Sequence, residues 1–465
     1  MQSYQKIGNQ HFTPSSIAPL CGAECLRPSR RFIKDVQLDS RQCRPGSLFF
    51  ALTGENSDGF LYLKSAEKLG ACAVVVEASK AQKALSLVSC AVLSVKDVKH
   101  SLHALAKAYT TLFSQVQTVG ITGSCGKSTT KEATAKILSM LGPTAKTEGN
   151  LNSEFGLPLS LFSLDTYDRY GVFELGVDHR GEMDLMVDML KPSVALLTNI
   201  GISHLEKFSK QKTIAEEKAK IFHPSVAKGF ITRGCNYASL IQEVSPVALS
   251  HYSLDDLKAD DLGLLGWRIS YHGYQFEVRT VGRHLLEDIA GAIAIGEHFG
   301  ATAADIAAAL DGFQPMKGRS SVDTSDITII DDSYNASLDS MQSILTYISS
   351  LSYRGRKKVV LGPMKELGAK SKDAHHQIAR ILARSSFSTA YLYGKEMEVA
   401  RNDLKQLGFL GEVHYTDDFQ ELEEQVTTFA EKGDLFLLKA SRSIAMERLI
   451  VPLKMQMQHK RKRYA

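Results

Sequence analysis

The sequence has no long apolar run and no cysteine framework. No apolar segment approaches the roughly 18 residues that a helix needs to cross a bilayer, and the N-terminus carries no basic region followed by an apolar stretch. The seven cysteines are odd in number and scattered along 465 residues, which is typical of reduced thiols and not of paired disulfides. We therefore expect a cytoplasmic protein that does not insert into membranes.

Net charge is also small. The 55 lysines and arginines against 51 aspartates and glutamates leave a formal charge of +4, and the basic residues are spread out apart from a run at 460–463. Dispersed charge of this size indicates no particular class of partner, and the terminal run is more typical of a solvated tail than of a nucleic-acid patch, so we expect no nucleic-acid partner. With 44% hydrophobic residues and a length beyond what one core supports, the chain should form several globular domains.

The stretch 116–131 organises the chain. It reads Val-Gln-Thr-Val-Gly-Ile-Thr-Gly-Ser-Cys-Gly-Lys-Ser-Thr-Thr-Lys, so a short β-branched run leads through a glycine-rich loop directly into a helical segment. Such a loop binds phosphates because free backbone N–H groups meet at a helix N-terminus, Lys127 can reach the terminal phosphates and the Ser128 hydroxyl can ligate Mg²⁺. The spacing is irregular, since Ile121 stands where the usual pattern has its first glycine.

A plain turn followed by a helix cap is the alternative interpretation of this stretch. Gly-Lys-Ser-Thr directly after a strand seldom arises without a nucleotide, so we favour nucleotide binding. The residues expected at the nucleotide are Gly123, Ser124, Cys125, Gly126, Lys127, Ser128 and Thr129.

Short apolar runs alternate with helical patterns throughout, which predicts an α/β protein of three domains. Residues 1–108 form a small α/β domain in this prediction. Residues 109–313 carry the phosphate loop and continuous apolar strands, the pattern of a doubly wound, mostly parallel sheet. Residues 314–465 restart the alternation as a Rossmann-like domain, without the Gly-x-Gly-x-x-Gly fingerprint of a dinucleotide site.

Polar residues follow the predicted strands of the middle domain, at the edge where such sheets bind ligands. Glu174 ends one apolar run, and Asn199 and His204 follow another. A buried carboxylate is costly without a cation, so Glu174 favours a metal or cation site over a structural salt bridge. His204 and Lys218 are weaker candidates by themselves, because a lone histidine or a helix-face lysine is usually structural or solvated.

Two more polar clusters, 331–335 and 439–442, follow predicted strands of the last domain. Each could cap a helix, but two clusters at one crevice favour a substrate site. In the first domain Ser40 and Arg41 lie in a predicted turn, which alone gives only weak support for a ligand role.

Together the motifs resemble the Mur ligases, which add amino acids to the nucleotide-linked peptidoglycan precursor. Several distinct motifs occur in the same order as in that family and extend over almost the whole chain. The matching stretches are 120–130, 149–156, 173–176, 199–206, 218–222, 317–319, 331–336, 439–442 and 446–447. The irregular glycine spacing of the phosphate loop is similar to the family's own form of it.

The resemblance also implies an activity. The Asp-Asp-Ser-Tyr-Asn-Ala block at 331–336 and the Lys-Ala-Ser-Arg block at 439–442 resemble the branch that joins D-alanyl-D-alanine to the terminal carboxylate of UDP-N-acetylmuramoyl-tripeptide. It implies a cytoplasmic ligase of cell-wall synthesis that uses ATP and Mg²⁺ and works through an acyl phosphate. We expect a monomer, although the resemblance does not decide the oligomeric state. Its partners would be small-molecule substrates.

Residue roles follow from the same resemblance. It implies that Lys127 and Ser128 hold ATP phosphates and Mg²⁺, that Glu174 and His204 lie at the metal site, and that Lys218 is the lysine that this family often carbamylates. A carbamate there could bind a second Mg²⁺ as an anion, and direct contact of the Lys218 ammonium with phosphate is the alternative. Arg319 and Asn335 would contact ATP, and Ser40 and Arg41 would belong to the UDP pocket. Further substrate contacts are expected from Asn150, Asn152, Asp332, Tyr334, Lys439, Ser441 and Arg442.

The chain departs from the family pattern at a few positions. Leu285 and Asp288 replace two amides that commonly help to hold adenine, and Pro363 replaces an aspartate. The phosphate loop, Glu174, His204 and Lys218 are retained, which predicts a working enzyme. A ligase of the same fold that adds a diamino acid, or glutamate to folate, is the nearest alternative. A nucleotide-dependent switch or motor would share only the phosphate loop.

Overall fold

The structure is a computed structural model that describes residue 7 and residues 11–54 and 57–464. The side chains of 459–464 lie outside this description, and with them those of the basic run at 460–463. Three main sheets and a small antiparallel one follow one another along the described chain. No helix in the described ranges is both long and apolar enough to cross a membrane.

The first sheet contains five strands and is parallel except at one edge. Its strands are β1 (Glu24–Arg27), β2 (Asp35–Gln37), β3 (Ser47–Phe50), β4 (Ala73–Glu77) and β5 (Ala91–Val95). They lie in the order β1-β5-β4-β3-β2, and only β1 runs antiparallel to its neighbour. The helices of this part are α1 (Pro14–Ile17), α2 (Leu63–Lys68), α3 (Ala81–Leu87) and α4 (Val98–Thr111).

Helix α4 joins the first sheet to the middle of the chain. The buried Tyr109 side chain donates a hydrogen bond to the Leu164 carbonyl at 2.8 Å and packs edge-on against Phe162. One continuous apolar core therefore includes side chains of the first sheet and of the central helices. Such a shared core fixes the two parts relative to each other.

The central sheet has six strands, all parallel. These are β6 (Gln117–Thr122), β7 (Thr144–Lys146), β8 (Tyr170–Glu174), β9 (Val194–Leu197), β10 (Lys228–Thr232) and β11 (Leu249–Tyr252), in the order β11-β10-β9-β6-β8-β7. Its inner strands are continuous buried runs, as expected where helices cover both faces. Because all strands are parallel, their carboxyl ends share one edge, and the phosphate loop leaves β6 at that edge.

A small antiparallel sheet follows, which the sequence analysis did not predict. It consists of β12 (Lys258–Asp261), β13 (Trp267–Tyr271) and β14 (Tyr274–Val278). Alternation of buried and exposed residues along β13 and β14 places one face on a core of its own. The helices of this region are α5 (Lys127–Ser139), α6 (Gly156–Leu161), α7 (Glu182–Leu190), α8 (Leu205–Phe208), α9 (Gln211–Ala219), α10 (Ala238–Val244), α11 (His284–His298) and α12 (Ala303–Leu310).

The last sheet has six strands and is parallel except at one edge. Its strands are β15 (Ser321–Thr324), β16 (Thr328–Asp331), β17 (Lys357–Leu361), β18 (Thr389–Tyr393), β19 (Glu412–Thr416) and β20 (Leu435–Lys439), in the order β15-β16-β20-β17-β18-β19. Helices α13 (Leu338–Ser350), α14 (Ser371–Ala383), α15 (Glu398–Gln406), α16 (Phe419–Thr428) and α17 (Ile450–Tyr464) complete it. The predicted α/β fold class is confirmed.

Candidate active site

A cavity of about 670 Å³ opens at the carboxyl ends of the central strands. It is lined from all three main parts of the chain: Thr53 and Gly54 from the first, the phosphate loop from the second and Arg319 from the third. Most of the residues predicted to bind ligands meet there. They are Gly123, Ser124, Cys125, Gly126, Lys127, Thr129, Asn152, Glu174, His204, Lys218, Arg319, Asp332, Tyr334, Asn335 and Lys439.

The phosphate loop has a backbone that only glycine can adopt at two positions. Gly123 and Gly126 have φ angles of 149° and 83°, and a Cβ on Gly123 would lie 1.8 Å from Thr198 Oγ1. Asn199 fixes the loop between these glycines, since its Oδ1 accepts from Cys125 N at 3.0 Å and its Nδ2 donates to Cys125 O at 3.1 Å. The loop then enters α5 directly at Lys127.

Glu174 is the last residue of β8 and is buried, and its carboxylate is hydrogen-bonded to two neutral donors. The residue is 1% exposed. Its carboxylate accepts hydrogen bonds from Ser128 Oγ and Asn152 Nδ2, both at 2.6 Å. Hydroxyl, amide and carboxylate oxygens together are the donor set that Mg²⁺ prefers, and neither hydrogen-bond donor brings a positive charge to the carboxylate. These residues therefore fit a divalent metal ion.

Two lysines converge on one carbonyl of the phosphate loop. Lys127 Nζ and Lys218 Nζ donate to Gly123 O at 2.9 and 3.1 Å. Lys218 is 2% exposed, and its burial, together with the charge of Lys127, lowers its pKa to about 7. A lysine of this pKa is partly a neutral, nucleophilic amine at neutral pH.

His204 lies on the cavity wall and contacts the last part of the chain. Its Nδ1 is 2.5 Å from Glu366 Oε2. His204 has a φ angle of 59° and is the residue before helix α8. His204 and Glu174 were predicted to share a metal site. The structure shows that both side chains, which lie in the described part of the chain, line the same cavity, and it shows no hydrogen bond between them.

The opposite wall combines the two polar clusters of the last sheet. Lys439 is buried and donates to Asp332 Oδ2 at 2.5 Å and to Asn335 O at 3.1 Å. The Arg319 guanidinium lies over the Tyr334 ring, 4.1 Å from its centroid. The strands that carry these clusters, β16 and β20, are neighbours, which is why two separate stretches of sequence form one surface.

Some predicted residues lie outside the cavity wall. Ser40 is buried, Arg41 is paired with Asp39 at 2.7 Å, and Asn150 is exposed. Ser441 is buried and accepts the Lys365 N–H at 2.8 Å, which gives its hydroxyl a structural partner. The remaining ones lie next to residues of the wall: Ser128, bonded to Glu174, and Arg442, 5.9 Å from the Tyr334 ring.

The cavity also contains residues that the sequence analysis missed. Asp178 and His179 follow β8, and Glu182 accepts both of their backbone N–H groups, at 2.7 and 3.0 Å. Because they lie just beyond the same strand as Glu174, the strand-end argument could have found them.

Two buried titratable side chains of α11 complete the wall. Burial raises the pKa of Asp288 to about 8 and lowers that of His284 to about 4, so both are largely neutral at pH 7. Asp288 Oδ1 lies so close to the phosphate loop that a Cβ on Gly126 would be 2.0 Å from it. Within the described part of the chain, Asp288 Oδ2 and His284 Nδ1 have no hydrogen-bond partner.

Comparisons with known proteins agree with this arrangement. Three family descriptions match the chain: "Mur ligase family, catalytic domain" over residues 32–110, "Mur ligase middle domain" over 121–296 and "Mur ligase, glutamate ligase domain" over 318–442. The chain is 32% identical to the UDP-N-acetylmuramoyl-tripeptide–D-alanyl-D-alanine ligase of Treponema pallidum, a match that covers 91% of this chain and 95% of the relative.

A second relative and a solved structure give the same result. The ligase of the same name from Bacillus subtilis is 30% identical, with 95% of this chain and 98% of the relative covered. Crystal structure I of MurF from Acinetobacter baumannii superposes with a TM-score of 0.83 at 26% identity, covering 96% of this chain and 99% of that one. Because these matches extend over nearly the whole chain, the protein is a ligase that belongs to the Mur ligase family.

Proposed function

We propose that the protein joins D-alanyl-D-alanine to the terminal carboxylate of UDP-N-acetylmuramoyl-tripeptide at the expense of ATP, in cytoplasmic peptidoglycan precursor synthesis. One observation carries this proposal: a phosphate loop and the buried Glu174 carboxylate, bonded to Ser128, face a second polar wall, built around Lys439 and Asp332, across one cavity. A reaction between a nucleotide and two further substrates needs this kind of enclosed, multi-sided site. The identity of the substrates in this proposal is taken from the names of the relatives.

The phosphate loop is the proposed site of ATP. The backbone N–H groups at the start of α5 attract phosphate, and Lys127 can turn from the Gly123 carbonyl to the terminal phosphates. Arg319 and Asn335 reach the same cavity from the last part of the chain and are the proposed contacts to the far side of the nucleotide. Binding of ATP would therefore bring the two parts to one ligand.

Mg²⁺ would be held by Ser128 and Glu174, together with His204 and a carbamylated Lys218. When bound, the ion supplies charge screening that lets a carboxylate approach a phosphate. Ser128 and Glu174 are already hydrogen-bonded to each other, so the two oxygens are oriented before any ligand arrives. Asn152 holds the second Glu174 oxygen and fixes the carboxylate plane.

The acceptor carboxylate is phosphorylated first in this proposal, and the amine of D-alanyl-D-alanine then displaces phosphate. The chain supplies cations for both steps. Lys127 is the proposed cation for the transferring phosphate, and Lys439, buried against Asp332, is the proposed cation for the developing oxyanion of the acyl group. Tyr334 and Arg442 are assigned to the incoming dipeptide, and Asn150, Asn152, Ser40 and Arg41 to the UDP-linked substrate; Ser441, whose hydroxyl accepts the Lys365 N–H, holds the neighbouring loop instead.

The division into functional units is also part of this proposal. We assign residues 1–108 to the UDP-linked substrate, 109–313 to ATP, and 314–465 to the dipeptide and part of ATP. All partners in this scheme are small molecules, and the proposed active form is a monomer.

The test is a comparison of amine donors. The protein is incubated with ATP, Mg²⁺ and UDP-N-acetylmuramoyl-tripeptide, with D-alanyl-D-alanine, a diamino acid or glutamate as the donor, and the products are weighed by mass spectrometry. The proposal expects a mass gain of one dipeptide less water and the release of ADP and phosphate. A product formed only with the diamino acid or with glutamate would contradict it.

A further inference from the structure

Two strained residues meet between the middle and the last part of the chain. His204 and Glu366 have φ angles of 59° and 65°, a backbone conformation that side chains other than glycine rarely adopt. Their side chains touch, with His204 Nδ1 2.5 Å from Glu366 Oε2. Such backbone strain persists where the surrounding structure imposes it, and it is concentrated at functional sites.

The loop that carries Glu366 is fixed from behind. The Met364 N–H donates to His375 Nε2 at 3.2 Å, and the Lys365 N–H donates to Ser441 Oγ at 2.8 Å. His375 is fully buried, and its other ring nitrogen is bonded to Ser371 O at 2.7 Å. Two successive backbone groups before Glu366 are therefore held by the last sheet and its helix α14.

Glu366 also contacts the middle part through its backbone. Its carbonyl accepts the Glu206 N–H at 3.1 Å, one of the N–H groups that the short helix α8 leaves free in its first turn. Side chain and main chain of Glu366 thus both bind the segment 204–206. This contact exists only while the last part of the chain is docked against the middle one.

A purely stabilising role is a poor account of this contact. The Glu366 side chain is 52% exposed and that of His204 30%, and polar contacts between side chains of this exposure contribute little to stability. A stabilising pair also does not explain why both residues keep a strained backbone. An effect of Glu366 on the orientation of the His204 ring explains the contact better.

We propose that Glu366 is a positioning residue that orients His204 for the metal site when the last part of the chain is docked. This inference rests on the proposed function, in which His204 belongs to that site. Histidines that bind metals usually give their other ring N–H to a carboxylate, which fixes the tautomer and the ring plane. With Nδ1 at Glu366, Nε2 is the ring nitrogen that remains for a metal ion.

The arrangement couples docking to assembly of the site. Glu366 reaches His204 from a rigid loop of another sheet, so separation of the two parts removes the partner of Nδ1 and leaves the ring free to rotate. The metal site is then complete only in the docked state, where Arg319 and Lys439 also face the cavity. Chemistry in an open, water-filled site is thereby disfavoured.

The experiment uses a truncation and a matched control. Glu366→Ala removes the carboxylate but keeps the carbonyl that binds Glu206, and Glu366→Gln keeps an acceptor without the charge. Glu396→Ala is the control, because Glu396 forms an ion pair with Lys365 of the same loop but entirely within the last part of the chain. All four proteins are titrated with Mn²⁺ in the presence of ADP, and free Mn²⁺ is measured by electron paramagnetic resonance.

Glu366→Ala is expected to weaken Mn²⁺ binding by about tenfold or more, since loss of such a partner typically costs 10- to 100-fold in metal affinity or activity. The Mn²⁺ affinity of Glu366→Gln should lie between those of Glu366→Ala and the unmodified protein, and the affinity of Glu396→Ala should equal that of the unmodified protein. The Mg²⁺ concentration for half-maximal ligation should shift in the same order. Unchanged Mn²⁺ and Mg²⁺ dependence in Glu366→Ala would overturn the proposal.

A double-mutant cycle separates positioning from a direct role. If Glu366 acts through His204, Glu366→Ala should have no further effect on Mn²⁺ affinity in a His204→Ala background. Additive losses would refute action through the ring. The proposed function fails separately, because absence of ligation by the unmodified protein would contradict it while the Mn²⁺ titration would still report on Glu366.

Discussion

Replacing Lys218 by alanine should abolish ligation, and small carboxylates should restore part of it. The prediction begins with the pKa of about 7 that burial and the neighbouring Lys127 impose on Lys218. At pH 7 about half of these side chains carry a neutral amine, against about 0.04% for a lysine with the reference pKa of about 10.4. That is a roughly thousandfold enrichment of the form that reacts with CO₂, or about 4–5 kcal/mol of bias toward it.

The surroundings of Lys218 suit the product of that reaction. The carbamate carries a negative charge beside the Lys127 ammonium, and it keeps one N–H for the Gly123 carbonyl that now lies 3.1 Å from Nζ. An anion there could share a cation with Glu174, whereas an ammonium would repel it. We therefore expect acetate or formate to fill the position vacated in Lys218→Ala.

The assay is the rate of ADP release by Lys218→Ala with increasing acetate, formate or methylamine, at constant ionic strength. Lys127→Ala serves as the comparison, because a lost cation should not be replaced by a carboxylate. In the unmodified protein, carbon-13 bicarbonate should give a carbamate signal that is absent from Lys218→Ala. Rescue by methylamine but not by carboxylates would refute the reasoning, since Lys218 would then act as a cation.

Three further predictions concern other parts of the site. Lys127→Ala should keep its thermal stability but lose at least 90% of kcat, about 1.4 kcal/mol or more of transition-state stabilisation, and a smaller loss in a single-turnover assay would count against its role. Asp288 has a pKa of about 8 in the folded protein, above its value in the unfolded chain, so the native state binds more protons between about pH 4 and 8. The contribution of Asp288 to the free energy of unfolding is therefore fully present below about pH 4 and is lost as the pH rises through about 8. Asp288→Asn should therefore flatten the fall in stability with pH across this window in urea titrations, and an unchanged slope would show that Asp288 titrates normally. Finally, because the cavity is lined from all three parts of the chain, an ATP analogue and the UDP-linked substrate together should make the protein more compact; identical small-angle scattering profiles with and without them would oppose closure.

Much of the fold could be predicted from local sequence. The runs at 171–175, 358–362 and 434–439 each have a continuous apolar centre with charged residues only at or near their ends, which is typical of buried parallel strands, and they form β8, β17 and β20 within one residue at each end. The strands β12, β13 and β14 were missed because they are half exposed and contain charged residues that hide the alternation.

The candidate site was predictable where strand ends identify it. Glu174 and the cluster 331–335 follow buried strands, so the topology alone brings them to ligand-binding edges. Ser441 shows the limit of that argument, because its hydroxyl follows a strand but binds the Lys365 N–H within its own sheet. The pairing of His204 with Glu366 joins residues 162 positions apart through two strained backbones, and no local pattern reports such a contact.

The route of one oxygen atom tests the central claim most directly. The acceptor UDP-N-acetylmuramoyl-tripeptide is labelled with oxygen-18 in its terminal carboxylate and incubated with ATP, Mg²⁺ and D-alanyl-D-alanine, and the released phosphate is analysed by mass spectrometry. If the carboxylate attacks the terminal phosphate and the amine then displaces phosphate, each amide formed must leave one labelled oxygen in inorganic phosphate. We predict one oxygen-18 atom in phosphate for every dipeptide joined. Dipeptide addition with unlabelled phosphate, or no dipeptide addition at all, would contradict the account.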